Sequence, residues 1–255
     1  MTSYLLVMTA CVDPGKSAYP LTRANPETRL SDYEASLRYW LHFPDSRLNN
    51  ILFIENSGYP LASLEKIAAE ENPLAKQVEF VSLDCNWYPK GGHYGYAELK
   101  MIDLGLQASR LRLLTTHMIK ISGRFRFPSI SRLLDRIPDD FDAVADARAS
   151  TIRFKPHPDP YVTTPIILFK HSFYATYLQD SYRELESGEI NHMEKIYYLK
   201  LMALKDSHKI LMRFPVNAAP VGFPAHKTSS YSGPKETIKN SIRAVARRVA
   251  PQWWI

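Results

Sequence analysis

Short apolar segments rich in strand-forming residues alternate with helical stretches along the first 150 positions of the chain. YLLVMTACV (4–12) reads as a first strand, and LSDYEASLRYWLHF (30–43) follows with apolar residues at helical spacing. NILFIEN (50–56), the helical LASLEKIAAEE (61–71) and VEFVSLD (78–84) come next. After the loop CNWYPKGGHYG stand the helical YAELKMIDLGLQAS (96–109) and the strand-like HMIKISGRFRF (117–127). PSISRLLDRI carries Pro128 at a helix start, and FDAVADAR (141–148) reads as another short strand. Such alternation predicts a mostly parallel α/β sheet covered by helices on both faces. Ligands of these sheets sit beyond the carboxyl ends of the strands. Asp13, Glu55, Asp84, Arg124 and Asp146 then share one rim.

From residue 151 the pattern changes. TTPIILFKHSFYATYL (163–178) reads as a strand running into a helix, SGEINHMEKIYYLKLMAL (187–204) as a turn and a helix, and HKILMRFP (208–215) as a late strand. The boundary near 150 is a change of role within one domain, with no internal repeat and no low-complexity segment. Cys11 and Cys85 lie far apart without metal-ligand spacing, which fits a reduced, cytosolic compartment. The N-terminal apolar run has no basic segment before it and reads as a buried strand, not a signal peptide. No run reaches the roughly 18 to 20 apolar residues that a membrane span requires.

Charge is unevenly spread. The chain carries +6. From His226 to Ile255, Lys227, Lys235, Lys239, Arg243, Arg247 and Arg248 face only Glu236, so five of those six charges fall in the last thirty residues. A nucleic-acid binder would spread its basic footprint over the domain body, which argues against nucleic acid as a partner.

HMIKISGRFRF ends in Ser122-Gly123-Arg124, with Arg126 two residues on. A guanidinium grips a phosphate through two parallel hydrogen bonds, and glycine permits close backbone approach. The alternative is a surface turn decorated by two arginines. Lone histidines at 93, 157, 171 and 208 have no mutual spacing that signals a metal site.

The order of elements resembles the GT-A fold of nucleotide-sugar glycosyltransferases, particularly the small bacterial enzymes of O-antigen and capsule assembly. The resemblance covers most of the chain. It implies a GT-A-like Rossmann-type mixed sheet over residues 1–225, with a nucleotide-sugar half (1–150) and an acceptor half (151–225). TACVDP would hold the nucleotide, with Asp13 and Glu55 as contacts, and GGHYGYAE (91–98) would bring Glu98 beside the donor. HMIKISGRFRF stands where the family's metal-binding Asp-X-Asp stands, so Lys120, Gly123 and Arg124 fall at the diphosphate and no residue is assigned to a metal. A divalent cation (Mn or Mg) remains open, with Asp142 and Asp146 as acids near the donor. Glu194 of NHMEKIYYLKL matches the family's general base, with Lys195 where a second acid would stand. Its alternative is a first-turn acid favoured by the helix dipole. His226, Lys227, Ser230 and Tyr231 resemble the late loop that closes over the diphosphate; a polar linker is the alternative. The implied activity is transfer of a sugar to a glycan or lipid-linked acceptor, with inversion. A non-catalytic nucleotide- or phosphate-binding scaffold at the membrane is the other class.

KETIKNSIRAVARRVAPQWWI predicts a basic amphipathic helix. At 100° per residue, Ile238, Ile242, Val245 and Val249 form one stripe, flanked by Lys235, Lys239, Arg243 and Arg247 on one side and Arg248 on the other. With Trp253 and Trp254 beyond Pro251, this is the composition of an in-plane element on an anionic membrane. The expected location is therefore cytoplasmic, at the inner face of the cell membrane. The alternative packs the stripe against the domain and buries the tryptophans.

Overall fold

The computed structural model describes residues 3–15, 21–89, 92–186, 190, 192–225, 231 and 233–255. Seven strands form one sheet: β1 (Tyr4–Ala10), β2 (Asn50–Glu55), β3 (Gln77–Ser82), β4 (His117–Ser122), β5 (Ala143–Ser150), β6 (Pro156–Lys170) and β7 (Ile210–Leu211). Their order across the sheet is β3-β2-β1-β4-β6-β5-β7. β1, β2, β3 and β4 run parallel, β6 is antiparallel to both β4 and β5, and β5 and β7 run parallel. The expected mixed α/β sheet is present, and strands from both halves of the chain belong to it.

β1 explains why the core has two layers. Every residue in it is buried, with Tyr4, Leu6, Met8 and Ala10 in one apolar cluster and Leu5 and Val7 in the other. Side chains alternate with period two, so a strand covered on both faces must be apolar throughout. α1 (Pro26–His42), α2 (Ala62–Glu70) and α4 (Ile130–Leu134) cover one face, and α3 (Gly95–Ala108), α5 (His171–Phe173) and α6 (Met193–Leu204) the other. α1 starts four residues earlier than its apolar spacing predicts. The Asn25 side chain accepts from the Thr28 amide at 2.9 Å, and Pro26 stands at the first helical position, where its missing N–H costs nothing. Tyr33, Leu37, Trp40 and Leu41 form its buried stripe, each contributing on the order of 1.5–3 kcal/mol.

β6 begins seven residues earlier than expected. Pro156, Pro158 and Pro160 read as loop because proline cannot donate to a ladder. β4 pairs only with residues 166–170 of β6, so these prolines lie beyond the end of that neighbour. The helix after Pro128 is correspondingly short, a five-residue turn.

α7 (Pro234–Val249) forms as predicted, and most of its apolar stripe stays exposed, unlike the alternative that packs the stripe on the domain. It buries Ala246 and Arg247, while Ile238, Val245 and Val249 remain 62, 58 and 75% exposed. The apolar stripe faces out and one basic flank faces in. Arg247 donates to both oxygens of Asp146, at 2.7 and 2.6 Å, and to the Phe214 carbonyl at 3.1 Å. The tryptophans divide: Trp253 is partly exposed and stacks on Phe154 at 4.1 Å, whereas Trp254 packs against the core. Asp146 therefore anchors the tail and is not an acid open to a donor. Burial pushes its carboxyl up, but Arg148, Arg247 and Arg213 outweigh that and hold it below the ordinary carboxylate range. The stabilisation is thus complete at neutral pH and lost as pH falls through that lowered value. Asp146→Asn strands two buried guanidinium groups, and urea unfolding should register a loss of about 3–5 kcal/mol. A change below about 1 kcal/mol would show that something else holds the tail.

Candidate functional site

Lys120 is fully buried in the central strand, and its ammonium is the hub of a polar network at the carboxyl edge. It pairs with the Glu98 carboxylate from the first turn of α3 and donates to the Thr164 carbonyl of β6 at 3.0 Å. The Thr9 hydroxyl of β1 donates to Glu98 at 3.2 Å. The Thr164 hydroxyl donates to Glu194, in the first turn of α6, at 3.1 Å. Five elements thus bring Glu98, Lys120 and Glu194 together.

His192 caps α6: its Nδ1 accepts from the Lys195 amide at 3.1 Å and lies 3.6 Å from Glu194. Its Nε2 meets Asp159 at 3.2 Å, and Lys195 pairs with the same carboxylate at 2.5 Å. Glu194, followed by Asp159, raises the His192 pKa above its ordinary value. Burial pushes the Glu194 carboxyl up, but His192, its own amide and Thr164 bring the balance below the usual carboxylate range. Glu194 is therefore ionised at neutral pH, and its side chain keeps 23% of its surface open. Gly95 allows this approach of helices, since a Cβ there would come within 3.0 Å of Met193.

The nucleotide rim is built differently from the sequence expectation. Glu55 is fully buried and accepts from the amides of Val12, Ser57 and Tyr59 at 2.9–3.1 Å, and from the Ser57 hydroxyl. Its carboxylate is used up in fixing the loops after β1 and β2, leaving no acceptor for a ribose. Asp13 is exposed, its carboxylate accepts from the Gly15 amide at 2.9 Å, and it neighbours Ser57 and Asn86. Gly123 is required by the protein's own backbone: its amide donates to the Thr9 carbonyl at 2.8 Å, and a Cβ would meet that oxygen at 2.8 Å. It lets the chain leaving β4 cross close to β1. His226, Lys227 and Ser230 lie outside the described residues. Tyr231 is described and packs edge-on against Phe125.

Arg124 follows β4, with its Nε and Nη1 buried and unpartnered. Arg148 ends β5, Arg213 follows β7, and Arg243 and Arg247 project from α7. Burial, then the neighbouring Arg247, pushes the Arg213 pKa down to about 10. No acidic pair closes β4, and no group of three or more His, Cys, Asp or Glu is placed to hold a metal among the described residues. Thr9, Thr164, His192, Arg213 and Arg243 were not singled out as site residues, because each sits in a segment whose spacing reads as ordinary strand, cap or surface.

Lys120→Met should cost about 3–5 kcal/mol by leaving Glu98 unpaired in the protein interior. Adding Glu98→Gln should recover much of that loss, since the two changes share one interaction. Additive losses in denaturant unfolding would mean that the pair is not coupled.

No protein-family model and no curated protein matches the chain. Solved structures align over most of it. A 4-diphosphocytidyl-2C-methyl-D-erythritol synthase from Anaerococcus prevotii aligns at TM-score 0.49 and 10% identity, over 94% of this chain and 97% of its own. The glycosyltransferase GlyE of Streptococcus pneumoniae aligns at 0.48 and 11%, over 83% of this chain but 45% of its own. The galactosyltransferase LgtC, solved with donor and acceptor sugar analogues, aligns at 0.46 and 12%, over 77% of this chain and 70% of its own. Similarity at this level says nothing of what the chain binds or transforms.

Proposed function

We propose that the chain is a glycosyltransferase that moves a sugar from a nucleoside-diphosphate donor to a glycan acceptor. The observation that carries this reading is Glu194: an ionised, partly open carboxylate at the carboxyl edge of the sheet, held by Thr164 and His192. An acceptor hydroxyl beside it would lose its proton to Glu194 while its oxygen bonds to the anomeric carbon. The bond from that carbon to the diphosphate breaks on the opposite side, and the electron pair leaves with the nucleoside diphosphate. Attack and departure on opposite faces invert the centre. Lys120 with Glu98 fixes the floor of the site, and Asp13 faces the nucleotide side.

Glu194→Gln should lower turnover by roughly 10²-fold or more while donor binding persists, the usual share of general-base catalysis. Unchanged turnover in that variant would remove Glu194 from the mechanism. Thr164→Val, which is nearly isosteric, removes one donor to the ionised form. The acid limb of the rate profile should then move to higher pH. A profile identical to the wild type would mean that Glu194 does not set that limb. Nucleotide binding without transfer to any acceptor would favour the scaffold class instead.

The acceptor in this reading is lipid-linked, in bacterial surface-polysaccharide assembly, at the inner face of the cell membrane. Its support is the exposed apolar stripe of α7, which includes Ile238, Val245 and Val249. Exposed Lys235 and Arg248, together with Trp253 over Phe154, add the cations and the aromatic anchor of an interfacial helix. No helix among the described residues is long and apolar enough to cross a membrane. Replacing Ile238, Val245 and Val249 with serine should abolish sedimentation with anionic liposomes and leave the fold intact. Sedimentation equal to that of the wild type would rule the stripe out as the contact.

A further inference from the structure

Where β4, β5 and β7 end, the sheet gathers more cationic charge than its own carboxylates balance. Arg148, Arg213, Arg243 and Arg247 surround Asp146, and Glu236, which also faces Arg243, is already paired with Lys239 at 3.0 Å. Arg247 and Arg148 are satisfied: both reach Asp146, and Arg148 also donates to the Ile255 carbonyl. The others are not. Among the described residues, all three nitrogens of Arg213, the Nε of Arg243, and the Nε and Nη1 of Arg124 are buried with no hydrogen-bond partner. The Nη1 of Arg243 reaches the Asn240 side chain, at 3.5 Å. Tyr231 lies among them: burial raises its phenol pKa, and the charges of Arg124 and Arg243 oppose that rise.

Buried guanidinium groups without acceptors are costly, and replacing such groups with apolar side chains commonly stabilises a fold. Three of them at one edge, from three different elements, make little sense as packing. They make sense as donors for an absent acceptor. A guanidinium presents a planar fork of N–H donors that matches two phosphate oxygens, and several forks suit an anion with many oxygens and more than one charge. The edge is also the one that carries Glu194.

We propose that Arg124, Arg213 and Arg243 form a cradle that binds a diphosphate without a metal ion. The proposal deepens the transferase reading and rests on it only for the source of the diphosphate, which is either the donor nucleotide or a phosphorylated acceptor.

Isothermal titration of the full chain with inorganic pyrophosphate, in EDTA, tests it. The wild type should bind, more weakly as salt rises. Arg213→Met and Arg243→Gln should each weaken binding by about 10- to 100-fold, the range expected for hydrogen bonds to a charged group. Arg213→Met without pyrophosphate should melt no lower than the wild type, because it removes an unpaired cation. It should also lose the rise in Tm that pyrophosphate gives the wild type. If Arg213→Met fails to fold, Arg243→Gln, on a half-buried helix position, carries the same test. A nucleoside diphosphate that competes with pyrophosphate identifies the donor as the source; simultaneous binding identifies the acceptor. A wild type that does not bind pyrophosphate in EDTA, or two folded variants that bind it as the wild type does, would overturn the cradle. The transferase reading fails separately: pyrophosphate binding with no sugar transfer from any donor would end it and leave the cradle standing.

Discussion

An ammonium group buried in the central strand of a parallel sheet must be neutralised where it sits, and that requirement organises the carboxyl edge. Lys120 has β1 and β6 on either side and α3 above it, so its partner must come from the helix. Glu98 supplies the charge from the first turn of α3, where the helix dipole also favours a carboxylate. The pair then fixes how far α3 slides along the sheet. Thr9 and Thr164 extend the network to both neighbouring strands, and through Thr164 it reaches Glu194 on α6. One buried charge thus sets the relative position of two helices and three strands. Well-packed apolar residues in place of both Lys120 and Glu98 would stabilise the sheet at least as well, so the pair is better understood as a positioning device than as a source of stability.

The edge is divided by charge. On the β1–β2 side lie Asp13, Asp84 and the buried Glu55, the last consumed by backbone amides. Beyond β4, cations dominate. A nucleotide sugar has the same polarity: its base and ribose offer hydrogen-bond donors, and its diphosphate is the anionic part. In the proposed transferase reading, that order would place Glu194, on the β6 side, where a sugar follows the phosphates.

Much of this was legible in the sequence, and the reasons are local. Strands buried on both faces must be continuously apolar, so β1, β2 and β4 declare themselves, and helical spacing declares α1, α3 and α6. The resemblance picked out Glu98, Lys120 and Glu194, which the fold brings together. β6 was partly hidden, because prolines mask a strand whose outer half lacks one neighbour. Glu55 and Gly123 both serve the protein's own backbone, which their local sequence does not show, for a common reason. A carboxylate or a glycine after an apolar run looks the same whether it faces a ligand or the protein's own backbone, and only the loops after β1 and β2 decide which. The role of Asp146 depends on a contact with Arg247, a hundred residues away in sequence, and no local pattern encodes that distance.

The tail shows how long-range electrostatics can override a helical wheel. Hydrophobicity alone would turn the Ile238–Val249 stripe of α7 inward. Instead Arg247 enters the protein, where it shares the buried Asp146 with Arg148 and can be buried without an orphaned charge. A buried carboxylate without a partner would cost several kcal/mol, on the order of what one or two half-exposed valines recover by burial. The ion pair therefore fixes the helix rotation, and the apolar stripe is left facing out. Lys239 and Arg243 follow from the same rotation, with Arg243 brought beside Arg148 and Tyr231 at the edge of the sheet. One helix thereby presents an apolar face to its surroundings and arginines to the edge that carries Glu194, and both placements trace to a single buried aspartate.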